Sequence, residues 1–252
     1  MRLSKEAKTK KPRMNNQELN FRAMEKSTRS CGRRRGPYGH AFNALTKLWL
    51  SLVVGLLLIP GVTRAQQYVF ENVAFPGDTF TQLLGINDAD VIAGYHGQAI
   101  NEGFTLTLPN NFTSENFPSS AQTQVTGINN SSNTSGFYID NGGTNHGFLN
   151  IGGNFSTVDF PGTTFDQVLG LNNTGQAAGY FQASSGFQTA FVFNPFLPPG
   201  GQFKLLNLPG SGQATGVNDA GQVTGFFATA TGDNGFLLSA GKLTTLSFPG
   251  QR

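Results

Sequence analysis

Amide side chains are the most regularly spaced polar groups in this sequence. They occur in a motif, Gln-x-x-Gly-[Ile/Leu/Val]-Asn, in which a second Gly followed by an aromatic residue comes nine positions after the first Gly. The four copies contain the glutamines Gln82, Gln124, Gln167 and Gln213 and the asparagines Asn87, Asn129, Asn172 and Asn218. Amides both donate and accept hydrogen bonds, so a ring of them beside aromatic residues could bind sugar hydroxyls. They could equally bridge backbone groups of neighbouring turns, and their presence in every copy favours this structural interpretation. These eight amides are the binding-site candidates that the sequence offers.

Two histidines lie beyond the basic amino-terminal segment, and neither predicts a metal or catalytic site. His96 follows the Gly-aromatic pair of the first copy, whereas His146 precedes a Gly-Phe step in the second. No His-x-x-x-His spacing is present, so we expect surface or turn residues rather than zinc ligands. Ser-His-acid catalysis is also disfavoured, because the sequence has no Gly-x-Ser-x-Gly elbow. We therefore predict no catalytic residue.

Carboxylates leave one enzymatic alternative and one cation site open. A glycosidase needs two facing carboxylates. The candidates are Glu115, Asp140, Asp159 and Asp166, which no local motif joins. Asp88 and Asp90 share a turn that could bind calcium, an ion that prefers carboxylate and carbonyl oxygens, but other copies replace one or both. We expect no cofactor, with calcium at this turn as the alternative.

The charge distribution argues against a nucleic-acid partner. Of the 17 Lys and Arg residues, 14 lie at or before Arg64, and the chain beyond it has three basic and eleven acidic residues, a balance of −8. Affinity for nucleic acid depends largely on cations that meet phosphates. A phosphate-binding loop would need a Gly-rich segment with a lysine, and only Lys204 and Lys242 remain.

The basic segment belongs to a predicted export signal. Basic residues up to Lys47 precede an apolar run at 48–59, the helix breaker Pro60-Gly61, and small residues that predict cleavage after Ala65. The run is shorter than the roughly 20 apolar residues of a spanning helix, which favours cleavage over anchoring. Residues 1–65 are thus predicted to be a leader, with Met1, Met14 or Met24 as its start, and contact with a membrane is expected only before cleavage. The remaining chain has no cysteine.

A fixed period organises the rest of the chain. The repeat glycines Gly85, Gly127, Gly170 and Gly216 are 42, 43 and 46 residues apart, and a predicted loop at 193–201 explains the longest spacing. Short β-prone runs alternate with Gly, Asn and Pro clusters, which is typical of all-β proteins. In the first copy we predict strands at 81–86, 91–95, 104–108 and 112–117.

Turn chemistry supports these strands. Asn starts the first hairpin of each copy and Gly closes it in two of them, while Asp90 and Ser132 stand at the closing position elsewhere. Ser is less suited to positive φ, so the second copy is expected to bend differently. Pro-Gly pairs at 76–77, 161–162, 209–210 and 249–250, with Pro-Ser at 118–119, predict type II turns.

Four units of four strands predict a small β-propeller within one domain, residues 66–252. The units are residues 76–117, 118–160, 161–208 and 209–250. An additional strand at 69–75 could close the ring within one sheet. A β-solenoid or a pair of sandwiches is the alternative.

The repeat resembles the HAF family of extracellular repeat proteins, found in secreted bacterial proteins. The resemblance covers roughly Phe70 to Gly250 and rests on Gly-[Ile/Leu/Val]-Asn followed by Gly-aromatic, on a Gly/Ala-Phe step, and on Phe-x-x-Val-x-Phe-Pro-Gly. At the His-Ala-Phe step that names the family, the histidine is kept only at His146. The resemblance implies export and a repeat architecture, and no defined activity.

We therefore expect a secreted, non-enzymatic β-repeat protein that contacts an extracellular glycan or protein surface. The alternatives are a propeller-type glycan hydrolase or lyase and a structural component of an envelope or matrix. A local function is expected where the copies differ, at 195–201, 129–133 and 140–146.

Overall fold

The computed structural model describes residues 70–247, which lie within one compact unit, Val69–Arg252. The predicted leader, its cleavage site and the Pro249-Gly250 pair lie outside the described residues. The sixteen strands are β1 (Thr81–Ile86), β2 (Val91–His96), β3 (Glu102–Thr107), β4 (Asn111–Ser114), β5 (Gln122–Ile128), β6 (Thr134–Ile139), β7 (Asn145–Ile151), β8 (Asn154–Val158), β9 (Asp166–Leu171), β10 (Ala177–Gln182), β11 (Gln188–Phe193), β12 (Phe203–Leu205), β13 (Ser211–Val217), β14 (Val223–Thr229), β15 (Gly232–Ser239) and β16 (Lys242–Leu246). No helix long and apolar enough to span a membrane occurs in this part of the chain.

Each run of four consecutive strands forms one antiparallel sheet in chain order. The sheets are β1 to β4, β5 to β8, β9 to β12 and β13 to β16, and we call them units 1 to 4. The predicted all-β fold of four four-stranded repeats is confirmed. The first strand of the first copy matches its predicted bounds, 81–86, and the other three differ by one to three residues at an end.

The glycines of the motif allow the sheets to approach each other. An irregularity in the pairing of the first two strands leaves one residue unpaired beside the motif Gly in every unit, as between Leu83 and Gly85. A bulge of this kind bends the strand and increases its twist. A Cβ on Gly127 would lie 3.4 Å from the Cα of Gly170, and one on Gly170 would lie 3.1 Å from the Cα of Gly216. The backbones of successive units therefore meet at these glycines.

A fully buried phenylalanine from the third strand fills the centre of each unit. These residues are Phe104, Phe148, Phe191 and Phe236, none more than 1% exposed. Each ring covers the glycine of the Gly-aromatic pair in the neighbouring strand, where a Cβ on Gly179 would come within 2.9 Å of the Phe191 ring. The glycine of the Gly-aromatic pair is thus a packing requirement.

The phenylalanine that precedes the proline of one copy covers the next sheet. Phe117 stacks on Tyr138 with ring centroids 3.7 Å apart, and Phe160 stacks on Phe181 at 4.3 Å. The first copy of this segment was predicted as an additional strand at 69–75, and that prediction is wrong: residues 70–75 form no strand. Phe75 instead packs on the unit 1 core, and its N–H donates to the Thr81 hydroxyl at 2.8 Å. Phe75 therefore stacks on the sheet of unit 1 and bonds to Thr81, and its segment pairs with no strand.

Within the described residues, the turn predictions are confirmed with two exceptions. Ser132 adopts φ 58°, the same value as Asp90, so the second unit turns as the first does and the expected difference is absent. Positive φ at Gly77, Ser119 and Gly162 matches the predicted type II turns. Gly210 is not among the residues with positive φ, and its backbone instead lies against β14, where a Cβ would come within 1.9 Å of the Ala228 carbonyl oxygen.

Successive sheets pack through the first strand of each unit, which gives a propeller-like arrangement. β5 contacts β1, β2 and β3; β9 contacts all four strands of unit 2; and β13 contacts β9, β10 and β11. Within residues 70–247, unit 4 does not pack extensively on unit 1. The described array therefore has two ends.

Candidate functional site

The four motif asparagines form a ladder that joins the hairpin turns of neighbouring units. Asn129 is 3% exposed, and its Oδ1 accepts the N–H groups of Ser131 and Asn133 at 3.0 Å each. Its Nδ2 donates to the Asn172 carbonyl oxygen in unit 3 at 3.0 Å. The same inter-unit bond runs from Asn87 to Asn129 and from Asn172 to Asn218. These bonds agree with the structural interpretation of the asparagines.

The four motif glutamines lie at the opposite end of the first strands and have two kinds of partner. Gln82 and Gln167 accept a hydrogen bond from Tyr95 and Tyr180, which face them across the sheet. In the other two units the facing residue is phenylalanine, which has no hydroxyl. There Gln124 donates to Asn101 at 2.7 Å and Gln213 donates to Gln188 at 3.0 Å, both in the preceding unit. The glutamines and asparagines therefore do not share one face.

A cavity of about 240 Å³ lies where the turn ends of all four units meet, and we call it the turn-end pocket. Its lining consists of one apolar residue from the end of each first strand, the residue after each motif asparagine, and three of those asparagines. In that order they are Ile86, Ile128, Leu171 and Val217; Asp88, Asn130, Asn173 and Asp219; and Asn129, Asn172 and Asn218.

The exposed polar groups of the turn-end pocket belong to the residue after each motif asparagine. Asp88, Asn130, Asn173 and Asp219 are all exposed. They are linked in pairs: Asn130 Nδ2 donates to Asp88 Oδ2 at 2.6 Å, and Asn173 Nδ2 donates to Asp219 Oδ2 at 2.9 Å. The sequence motif pointed to the neighbouring asparagines, of which the first three are buried. A polar residue recurring directly after each motif asparagine was the signal available in the sequence.

His146 forms a titratable cluster at the edge of unit 2, where we expected the copies to differ. Its Nδ1 lies 2.6 Å from Asp159 Oδ2, its Nε2 lies 3.4 Å from Asp140 Oδ2, and its ring stacks on Tyr138. The histidine was expected on the surface or in a turn, but it lies in β7 with its side chain only 20% exposed. Both ring nitrogens are engaged, so the imidazole bridges two carboxylates.

The carboxylates of this cluster shift the pKa of His146. Burial alone would lower this pKa, but hydrogen bonds and charge from Asp159 and Asp140 outweigh burial and raise it. The N–H of Thr144 is the main cause of a lowered pKa at Asp140, with His146 contributing. The arrangement favours an imidazolium between two carboxylates.

His96 occupies a comparable setting in unit 1. Its Nδ1 lies 2.5 Å from Asp78 Oδ2 and its Nε2 lies 3.6 Å from Glu102 Oε2. Phe75 stacks on the ring with centroids 3.4 Å apart. This buried residue takes the position that Tyr138, Phe181 and Phe227 hold in the other units, so the prediction of a surface residue is wrong. It substitutes for a core aromatic.

The remaining glycosidase candidates have structural partners. Glu115 Oε1 accepts the Thr134 hydroxyl at 2.5 Å and the Asn150 amide at 2.6 Å, both in unit 2. Asp166 is fully buried, and its carboxylate accepts the Phe160 N–H at 2.8 Å and the Thr163 hydroxyl at 2.7 Å. Burial raises the pKa of Asp166, and the nearby Asp159 charge adds to this effect.

Residues 70–247 contain no group of three or more His, Cys, Asp or Glu side chains placed to hold a metal ion. Of the two acids considered for calcium, Asp88 lies at the turn-end pocket, while Asp90 closes the hairpin turn.

The predicted loop at 193–201 folds back over unit 3, since a Cβ on Gly175 would meet the Phe196 ring at 2.8 Å.

Comparison with known proteins gives distant structural likenesses alone. No protein-family model matches the chain, and no curated protein matches it. A triple arginine-to-alanine mutant of AofleA from Arthrobotrys oligospora is 13% identical with a TM-score of 0.42, covering 66% of this chain and 57% of that chain. An asparagine-to-glutamine mutant of Aleuria aurantia lectin in complex with alpha-methyl-L-fucoside is 10% identical with a TM-score of 0.40, covering 64% and 59%. This chain thus spans less than two thirds of either protein, and these likenesses carry no argument about its function.

Proposed function

We propose that this protein is an exported, non-enzymatic β-repeat protein that binds a glycan in the turn-end pocket. The observation that carries the proposal is the set of four exposed side chains that the units contribute from one equivalent position: carboxylate, amide, amide and carboxylate. Sugar hydroxyls both donate and accept hydrogen bonds. The amides of this set can donate to them, and the amides and carboxylates can accept from them.

The pocket also supplies an apolar surface and fixed polar groups. Ile86 and Val217 lie among its lining residues, and aliphatic side chains can cover the C–H face of a sugar ring. The Asn130–Asp88 and Asn173–Asp219 hydrogen bonds orient the polar groups before a ligand arrives. Preorganisation of this kind reduces the free energy lost on binding.

The charge of the pocket narrows the ligand class. Asp88 and Asp219 are its charged residues, and both are acidic. Neutral sugars and amino sugars are therefore favoured, whereas uronic and sialic acids would meet like charge.

A glycan array followed by calorimetry tests this proposal on the purified chain. We expect binding of neutral or amino glycans, and at least a tenfold loss of affinity in Asn130→Ala and Asn173→Ala. Gln82→Ala and Gln167→Ala are matched controls, because they change amides at the other end of the same strands. Loss of binding in the glutamine variants alone, or binding confined to acidic glycans, would contradict the proposal.

A glycan hydrolase is the alternative that the His146 cluster brings forward. Asp140 and Asp159 contact this histidine. Asp166 lies close enough for its pKa to respond to the charges of Asp159 and His146. Asp140 and Asp166 also accept hydrogen bonds from backbone N–H groups, and these structural bonds support the non-enzymatic proposal. Incubation of bound glycans with the chain and analysis of the products decides between the two. Turnover that disappears in Asp159→Asn would establish the hydrolase.

Export and membership of the HAF repeat family form the part of the proposal that rests on sequence. The basic segment, the apolar run and the small residues before Gln66 support cleavage after Ala65. Sequencing the amino terminus of the protein recovered outside the expressing cell tests this directly. A chain that stays in the cell with its leader intact would refute the export proposal.

A further inference from the structure

The interface between successive units follows one rule, which the chain repeats three times. The first strand of a unit packs on the sheet of the preceding unit, and a side chain near its middle lies over the small residue that precedes the buried third-strand phenylalanine. A Cβ on Gly103 would come within 2.7 Å of Val125 Cγ2, and one on Gly147 would come within 3.0 Å of Val168 Cγ2. Val125 and Val168 are fully buried as a result.

The first strand of unit 1 has no preceding unit to pack on within the described chain, so its side of the interface is exposed. Leu83, which is equivalent to Val125 and Val168, is 40% exposed. Ile86 is equivalent to Ile128, which is buried in a core shared with Ala93 of unit 1, and is 62% exposed. Together Leu83 and Ile86 form an exposed apolar edge, which we call the leading edge.

The outer face of unit 4 shows the opposite half. Phe226 is 40% exposed, whereas the equivalent Tyr180 of unit 3 is 5% exposed and the equivalents Tyr95 and Phe137 are half-buried. Gly103 and Gly147, which are equivalent to Gly235, receive a valine from the next unit, and Ala190 packs in one cluster with Ala214. A Cβ on Gly235 would meet atoms of unit 4 alone. We call the surface around Phe226 and Gly235 the trailing face.

We propose that the trailing face of one copy of this chain binds the leading edge of a second copy, with Leu83 over Gly235. The contact continues the interface already formed three times within the chain. It joins two different surfaces, so it is a head-to-tail contact that either closes a ring or extends a filament. This inference goes beyond glycan binding and does not depend on it.

The asparagine ladder also ends in a way that suits a second copy. Asn218 Nδ2 donates only to Gln222 of its own unit, at 2.7 Å, whereas Asn172 Nδ2 donates both to Gln176 and to the following turn within the described residues. At the other end, the Asn87 carbonyl oxygen accepts the Asp90 N–H and has a second lone pair. Asn129, Asn172 and Asn218 each use that lone pair to accept an amide of the preceding unit.

One position at the proposed junction is mismatched. Each internal pair of residues after the motif asparagines includes at least one amide: Asp88 with Asn130, Asn130 with Asn173, and Asn173 with Asp219. At the junction Asp219 would meet Asp88 of the second copy. Two facing carboxylates repel each other, so the junction is weaker than the internal interfaces.

The junction is tested by measuring the molar mass of the purified chain in solution across a concentration series. We expect wild type to associate reversibly, while Leu83→Asp and Phe226→Asp are each monomeric. Ile100→Asp is the matched control, because it charges an apolar loop residue that is 60% exposed and outside both surfaces. Circular dichroism verifies that the variants fold, which their exposed positions allow.

Mixing the two variants identifies the head-to-tail geometry. An equimolar mixture of Leu83→Asp and Phe226→Asp retains one intact leading edge and one intact trailing face, so a 1:1 complex is expected. Asp88→Asn restores an amide to the mismatched pair and should tighten wild-type association by roughly threefold to tenfold. A wild-type chain that stays monomeric up to its solubility limit would overturn the proposal, as would a mixture that forms no complex. Association that survives both aspartate variants would do so as well.

Discussion

Neighbouring polar residues divide two roles at each hairpin turn. The buried asparagines hold the turns and join the units, while the exposed residue after each one faces the turn-end pocket. The same residue type serves both roles at Asn129 and Asn130. Burial and hydrogen-bond partners, rather than residue type, therefore decide which amides are available to a ligand.

This division predicts a large difference between two adjacent alanine substitutions. Asn129→Ala removes two turn bonds and one inter-unit bond at a buried site, so we expect a loss of about 2 to 4 kcal/mol in the free energy of unfolding. Asn130→Ala affects an exposed side chain and should cost less than about 1 kcal/mol. Urea denaturation of both variants measures the difference, and equal losses would refute the division.

The His146 cluster predicts a pH dependence of stability. The folded-state pKa of His146 is raised above its ordinary value near 6.5, so its contribution is complete below that pH and is lost as the pH rises through the folded pKa. The difference in unfolding free energy between wild type and His146→Asn should therefore be greatest on the acid side of neutrality and diminish at alkaline pH. Urea denaturation across this pH range, with Gln124→Ala as a pH-insensitive control, measures it. A difference that does not change with pH would contradict the assignment.

At the residue scale, roles that depend on adjacent residues could be predicted from the sequence. The Asn-x-x-Gly turn follows from adjacent residues, and its hydrogen bonds are present. The setting of His96 could not be predicted, because Phe75 and Asp78 reach it from a preceding segment. Similarly, the hydrogen-bond partner of Gln124 could not be predicted. The residue that faces it across the sheet is Phe137, which has no hydroxyl, so Gln124 bonds to Asn101 of the preceding unit.

Close packing dominates at the scale of the strand. The glycine before each second-strand aromatic lies between a carbonyl oxygen of the first strand and the phenylalanine ring of the third. A Cβ on Gly179 would be 2.2 Å from the Gln167 carbonyl oxygen and 2.9 Å from the Phe191 ring. Neither group can move without disturbing the sheet or the core.

Gly179→Ala is therefore expected to lower the free energy of unfolding by about 3 kcal/mol or more. Gly201→Ala is a suitable control, because a Cβ there meets its nearest atom at 3.5 Å and should change stability by less than about 0.5 kcal/mol. Guanidinium denaturation followed by circular dichroism measures both. A Gly179→Ala protein as stable as wild type would show that the sheet can relax around the added methyl group.

Strand positions followed from alternation and turn chemistry, and the error at residues 69–75 has a clear cause. That segment copies the end of a unit, so its sequence resembles a fourth strand. A strand requires a neighbour to satisfy its backbone groups, and Phe75 instead donates its N–H to a side chain. Whether a segment forms a strand depends on whether another strand lies beside it. A repeated pattern of residue types does not show this.

The number of interfaces per unit sets the pattern of stability across the molecule. Units 2 and 3 each pack on two neighbours, while units 1 and 4 each pack on one within the described chain. In a linear array, stability is the sum of unit and interface contributions. The period in the sequence predicted the four units. It did not predict that units 1 and 4 would leave exposed ends, because a period does not give the angle between successive units.

Hydrogen exchange should report this pattern. We expect the slowest amide exchange in β6 and β10 and faster exchange in β2 and β14, because end units open without disrupting a second interface. Exchange measured by mass spectrometry at low protein concentration tests this gradient. Raising the concentration should slow exchange in β14 if the proposed junction forms, whereas uniform protection throughout would contradict the linear description.

The stacking of each pre-proline phenylalanine on the following sheet has a consequence for how such a chain gains and loses repeats. Removal of residues 118–160 joins Phe117 directly to Pro161, so a Phe-Pro-Gly segment is preserved and Phe117 takes the place of Phe160 over Phe181. Val168 replaces Val125 above Gly103, and Asn172 replaces Asn129 beside Asn87. A recombination event in this phase preserves these three contacts and loses the Glu115 bonds to Thr134 and Asn150. Length variation by whole units is therefore an inheritable change that the main packing of the fold permits.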